Sequence, residues 1–169
     1  MTTFIALLRA VNVGGAGKLP MSELRAMCEA AGFSRARTYI ASGNVVFDSE
    51  EDEAAVKARL ERALEDYVAK PVGVLVRTGS EMAAVLAANP FPAALPNRLV
   101  AIFLDRAPPP DALALASGIA DEQLALGRRE IYVHYPSGMG RSKLKVPAAR
   151  DGTARNMTTV ATLAAWAAG

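Results

Sequence analysis

The chain has one cysteine, one histidine and one tryptophan, and its aromatic content is 6%. A lone Cys28 excludes an intramolecular disulfide. No His/Cys cluster supplies the three or four ligands of a zinc site, so neither a metal nor a cofactor is expected. The lone His134 argues against imidazole-rich catalysis. It alternates with Val133 and Tyr135, which suits a strand residue with a surface or hydrogen-bonded role. A charge imbalance is also missing: 19 Lys and Arg face 17 Asp and Glu, a formal net charge of +2, too small for a chain that coats itself with nucleic acid. Any basic patch must be local. The first apolar run, Phe4 to Leu8, follows no basic region and is broken by Arg9, far short of the ~20 residues that span a bilayer. These absences together predict a cytoplasmic chain in a reducing compartment, with no membrane partner.

What is present is a hydrophobic content of 51% over 169 residues, enough for a substantial core. The almost continuously apolar segment Thr3 to Val11 predicts a central strand covered on both faces. Asn12 to Lys18, with glycines at 14, 15 and 17, predicts a loop. Pro20 then opens a helix whose apolar face carries Met21, Leu24, Met27, Cys28 and Ala31, and which ends at Gly32. Two short segments, Ala36 to Ala41 and Asn44 to Asp48, flank Ser42-Gly43 as a hairpin. Ser49 is the predicted cap of a second helix with Val56, Leu60, Ala63, Leu64 and Tyr67 inward. Val72, Val74 and Val76 alternate as a fourth strand. The order β-α-β-β-α-β is the ferredoxin-like arrangement, so residues 1–79 are expected to form one α+β half.

Residues 80–97 read as a helix followed by a proline-rich linker. In residues 98–169 the pattern begins again: a strand at Leu99 to Leu104, a helix from Asp111 through Ser117 closed by Gly118, and a hairpin around Gly127-Arg128-Arg129. A glycine- and base-rich loop, Pro136 to Asn156, leads to a final helix with Val160, Leu163, Ala164 and Ala167 inward. The expectation is a second, similar β-α-β-β half with a C-terminal helix.

Three stretches invite a ligand. At the first, Arg9 to Met21, glycines and a helix N-terminus would present N–H groups to an anion, with Lys18 adding charge. It is not a P-loop, which would need glycine at position 12 and a hydroxyl residue at 19, where the chain has Asn12 and Leu19. In the second, Arg141, Lys143, Lys145, Arg150 and Arg155 face only Asp151 over fifteen residues, a run suited to phosphate. A tight turn and a solvated basic loop explain the same residues without a ligand. The third, Tyr39 to Asn44, lacks the setting of a serine nucleophile and is accounted for by the hairpin. Tyr39, Phe47 and Tyr132 could line a sheet face that stacks bases, although the aromatic pattern of RNA-binding ferredoxin-like domains is absent.

Ala6-Leu-Leu-Arg-Ala-Val-Asn-Val-Gly-Gly15 with Lys18 and Met21, Thr38-Tyr-Ile-Ala-Ser-Gly-Asn-Val-Val-Phe47, and Gly140-Arg-Ser-Lys-Leu144 with Thr153-Ala-Arg-Asn156 follow one another in an order and spacing that span nearly the whole chain. In these segments the chain resembles a mainly bacterial, uncharacterised family, domain of unknown function 1697. It departs at Met157, where similar proteins often carry tryptophan. The resemblance implies an α+β fold with ferredoxin-like halves and no activity. The expected ligand residues are Arg9, Asn12, Gly14, Gly15, Lys18, Ser42, Asn44, Arg141, Ser142, Lys143, Arg155 and Asn156. They are expected to bind a phosphorylated or otherwise anionic small molecule in a crevice between the halves. An enzyme acting on such a ligand and a nucleic-acid-binding module are the alternatives.

Overall fold

The apolar run that opens the chain becomes a central strand because both of its faces are covered. A computed structural model describes residues 1–12 and 18–169. The described chain divides into two units, one formed by Met1–Met82 with Leu163–Gly169, the other by Ala83–Thr162. Among the described residues, eight strands form two four-stranded antiparallel sheets, accompanied by four α-helices.

In the first unit the chain runs β1 (Thr2–Leu8), α1 (Met21–Ala30), β2 (Ser34–Tyr39), β3 (Asn44–Ser49), α2 (Glu53–Val68) and β4 (Val74–Thr78), with α3 (Gly79–Ala87) beginning at its end. The sheet order is β2-β3-β1-β4. One face carries Phe4, Ala6, Leu8, Val45, Phe47, Val74 and Val76, packed against Leu24 and Cys28 of α1 and Val56, Leu60 and Leu64 of α2. Burying a side chain of Leu or Val size stabilises by about 1.5–3 kcal/mol, so these two helical stripes hold both helices on one face. The cap of α2 is not Ser49: Asp52 Oδ1 accepts from Ala55 N at 2.8 Å, while Ser49 closes β3 and its hydroxyl accepts from Glu51 N. An aspartate at the turn displaced a serine still engaged at the end of the strand.

The second unit contains β5 (Leu99–Phe103), β6 (Gln123–Leu126), β7 (Glu130–His134) and β8 (Thr153–Asn156), in the order β6-β7-β5-β8, and α4 (Met157–Ala168) begins there. Two expectations fail in it. Residues 111–117 are not a helix but a chain of turns, with Ala112 N on Pro109 O, Leu115 N on Asp111 O and Ala116 N on Leu113 O. Seven residues between a proline run and Gly118 are too few to repay helix nucleation, and Ser117 instead exchanges two backbone hydrogen bonds with Lys145, each 2.9 Å. The loop Pro136 to Asn156 is the second failure, because its last four residues are β8, paired to β5. The face of β5 and β7 that carries Val100, Ile102, Ile131 and Val133 is thus covered by turn and loop residues, among them Ala112, Leu113, Leu144 and Val146.

Candidate functional site

In the first unit, three predicted site residues meet where β1 ends and the β2–β3 hairpin turns. Asn12 donates from Nδ2 to Leu19 O and to Ala41 O, and its Oδ1 accepts from Leu19 N at 2.6 Å. Asn44, fully buried, donates to Tyr39 O and to the exposed Ser42 hydroxyl. Between them lies Gly43, at φ +90, whose carbonyl accepts from Leu8 N; a Cβ there would sit 2.7 Å from Val11 and 2.9 Å from Leu8. Glycine is therefore required by both its backbone angle and the close approach. Ala10, Asn12 and Ile40 also adopt positive φ, an uncommon conformation for side-chain-bearing residues. Lys18 is exposed, and Arg9 is half-buried with its side chain against Gly73. Gly14 and Gly15 lie outside the described residues. Cys28 is buried, and burial pushes its thiol up to about 12, the property of an inert core residue.

In the second unit, Arg141, Ser142 and Lys143 come together along a cleft of about 820 Å³ that also includes Gly118, Ala120, Asp121, Glu122, Ser137 and Gly138. Ser142 donates its hydroxyl to Glu122, Ser137 donates to Asp121, and Ala120 N donates to Glu122 Oε1 at 2.7 Å. The Ser142 hydroxyl, then the backbone N–H of Ala120, hold the Glu122 carboxyl below its ordinary value, so it is ionised at neutral pH. The loop is pinned where Gly118, at φ +71, leaves room for the Lys143 carbonyl. Sequence reasoning missed Asp121, Glu122 and Ser137. The basic loop is balanced by two carboxylates some twenty residues upstream, rather than by Asp151 alone.

The remaining predicted residues belong to β8. Arg155 is buried, donates to Thr153 Oγ1 at 2.7 Å and to Ala154 O, and is lowered to about 10 by that burial. Asn156 Oδ1 accepts from Thr159 N and so caps α4. The base-stacking face does not exist as expected. Phe47 is 1% exposed and stacked on Phe33 at 4.4 Å, and Tyr132 is buried with its hydroxyl donating to Val85 O. Strand alternation placed these rings correctly on faces, but both faces are covered. His134 is bonded to Gln123 Oε1 and packs against Phe91.

A family model described as Protein of unknown function (DUF1697) matches residues 1–132. The chain belongs to this family. None of the curated proteins matches it. Among solved structures, this DUF1697 chain is similar to a conserved bacterial protein, SP0830 from Streptococcus pneumoniae, with 26% identity and a TM-score of 0.83 over 100% of this chain and 99% of that one. The family match thus includes Asp121 and Glu122 but stops before Arg141, whereas the structural likeness runs through the whole basic loop. Among the described residues, no group of three or more His, Cys, Asp or Glu could hold a metal, and no helix is long and apolar enough to cross a membrane. Chemically, the cleft is lined by two exposed cations, Arg141 and Lys143, and two hydrogen-bonded carboxylates, Asp121 and Glu122. Such a combination can grip an anionic group while accepting from hydroxyl or ammonium donors of the same ligand.

Proposed function

We propose that this DUF1697 protein binds a small phosphate-bearing molecule in the cleft of its second unit, with Arg141 and Lys143 on the phosphate and Asp121 and Glu122 on hydroxyl or ammonium groups of the same ligand. The observation that carries the reading is the shared cleft: Arg141 and Lys143 of the basic loop line a concave space of about 820 Å³ together with the acceptors Asp121 and Glu122. That volume lies within the range of small-molecule sites. A bare anion would be repelled by the carboxylates, so a phosphosugar or nucleotide fits better than inorganic phosphate. The finer fold reading, that the first unit is ferredoxin-like, belongs to the same proposal. It is supported by the element order β-α-β-β-α-β and by both helices packing on one face.

The test is a thermal-shift screen of phosphosugars and nucleotides on the wild type and on an R141A/K143A double variant. A ligand that binds only the native state raises its apparent stability. Both side chains are exposed, so the variant should fold as the wild type does. Loss of two charge-assisted contacts should weaken binding about a hundredfold. No stabilising ligand, or equal stabilisation of the double variant, rejects the reading.

A further inference from the structure

A second concave site lies in the first unit, on the edge strand of its sheet. Around a cleft of about 320 Å³ stand Arg25 of α1, Arg35 and Arg37 of β2, Asp48 of β3 and Trp166 of α4. We propose that this cleft binds the phosphate group of a small phosphomonoester whose organic body lies against Val46 and the Trp166 ring.

The sheet is irregular here in a way that aims arginines. The β2–β3 register shifts between Ser34 and Arg37, a bulge on the edge strand, and Arg35 within it sits at φ +52. Bulges re-aim side chains, and left-handed backbone at a non-glycine residue persists only when its surroundings hold it there. What holds Arg35 is Asp48, nearly buried, which accepts from Arg35 Nε at 2.6 Å and from the Thr3 hydroxyl at 2.7 Å. This contact uses only the Nε edge of the guanidinium. Among the described residues no acceptor engages its two Nη groups. Arg37 is fixed differently: its guanidinium lies 5.1 Å from the centre of the Trp166 ring and Nη2 donates to Trp166 O at 2.8 Å. Trp166 is in turn braced edge-on by Tyr39 at 5.3 Å. Among the described residues, Arg25 approaches Glu29 alone, at 3.6 Å on an exposed surface.

Three guanidiniums thus line one cleft, and among the described side chains that line it the one carboxylate, Asp48, is already engaged by Arg35 and Thr3. Two of the three already contact protein partners before any ligand arrives, although both side chains stay exposed. Planar forks with unused N–H groups, pre-organised in this way, match the oxygens of a phosphate and lose little freedom on binding it. The walls contributed by Ala36, Val46 and Trp166 favour an apolar or planar body over a polyol.

Trp166 is the chain's one tryptophan, so its indole N–H is a single resonance that reports this cleft. The full-length ¹⁵N-labelled protein would be titrated with phenyl phosphate, inorganic phosphate and phenol at matched ionic strength. Phenyl phosphate should move the indole signal saturably, inorganic phosphate more weakly and phenol not at all. In R25A, which removes only an exposed side chain, the affinity for phenyl phosphate should fall about tenfold, and R35K should weaken it too while keeping the charge. The R141A/K143A variant should titrate as the wild type does, which separates this site from the cleft of the second unit. No saturable movement, an equal response to phenol, or unchanged affinity in both R25A and R35K overturns the proposal.

Discussion

Gly118 and Gly138 both have positive φ, +71 and +84, yet they differ in what surrounds them. A Cβ at Gly118 would fall 2.1 Å from the Lys143 carbonyl, a backbone atom that cannot swing away, whereas a Cβ at Gly138 meets nothing within 4 Å. Gly138→Ala should therefore cost only the left-handed penalty, about 1–2 kcal/mol. Gly118→Ala adds an overpacking cost of about 1–3 kcal/mol to the same penalty. Urea unfolding of the two variants measures the difference, which should favour G138A by at least about 1 kcal/mol; equal losses would mean that the two loops are not locked together at this point.

Asp48 sets a second residue-level expectation. Its burial alone would raise the carboxyl's pKa, but the Arg35 hydrogen bond, the Thr3 hydroxyl and the charges of Arg35 and Arg37 more than offset this and hold it below the ordinary 3.8. A carboxyl lowered by folding contributes stability that is complete above its unfolded value and is lost as pH falls through the folded one. Stability of the wild type should decline on acidification below about pH 4. Asp48→Asn should show a shallower decline over that window, read as the difference between the two pH profiles of the denaturation midpoint. Parallel profiles would mean that the Arg35 contact does not depend on the charge of Asp48.

At the level of elements, what could be read from sequence follows from how local each signal is. The stripe Leu24 and Cys28 in α1, the stripe Val56, Leu60 and Leu64 in α2, and a hairpin between β2 and β3 are fixed by periodicity and turn chemistry within a dozen residues and are present. Tyr67, however, expected inward, is 47% exposed, and the turn spans Ile40 to Gly43 rather than Ser42-Gly43 alone, with β2 ending at Tyr39. Strand β8 could not be found that way. Thr153-Ala-Arg-Asn156 has no apolar alternation, and its one buried side chain is an arginine, which reads as loop until its pairing with Val100 to Phe103 is seen. The turns at 111–116 fail in the opposite sense. Ala and Leu favour a helix there, but the tertiary bridge from Ser117 to Lys145 decides. The two clefts follow the same rule. Arg141 and Lys143 are visible as a charge run, while the carboxylates that complete their cleft, and the bulge that gathers Arg35 and Arg37 beside Trp166, depend on contacts between distant segments.

Across the whole chain the two sheets repeat one plan. In each, the fourth strand carries a buried arginine, Arg77 opposite Ile5 and Arg155 opposite Ala101, and ends on a residue that caps the next helix: Thr78, whose hydroxyl accepts from Glu81 N, and Asn156, whose side chain accepts from Thr159 N. What differs is the cover on the apolar face, two helices in the first unit and turns in the second. The helical cover of the first unit encloses the chain's one cysteine, so Cys28 reports opening of that unit. In the native state it is fully buried with its thiol raised to about 12, and a disulfide reagent can reach it only through an opening reaction. Leu60, equally buried in the same cluster, does not carry the thiol. Leu60→Ala should cost about 2–5 kcal/mol and speed labelling of Cys28 by at least about tenfold in native buffer. The control is Leu115→Ala, an exposed position in the second unit, which should leave the rate unchanged. Labelling of the wild type as fast as that of the unfolded chain would show that the α1 and α2 cover does not close over β1 and β3.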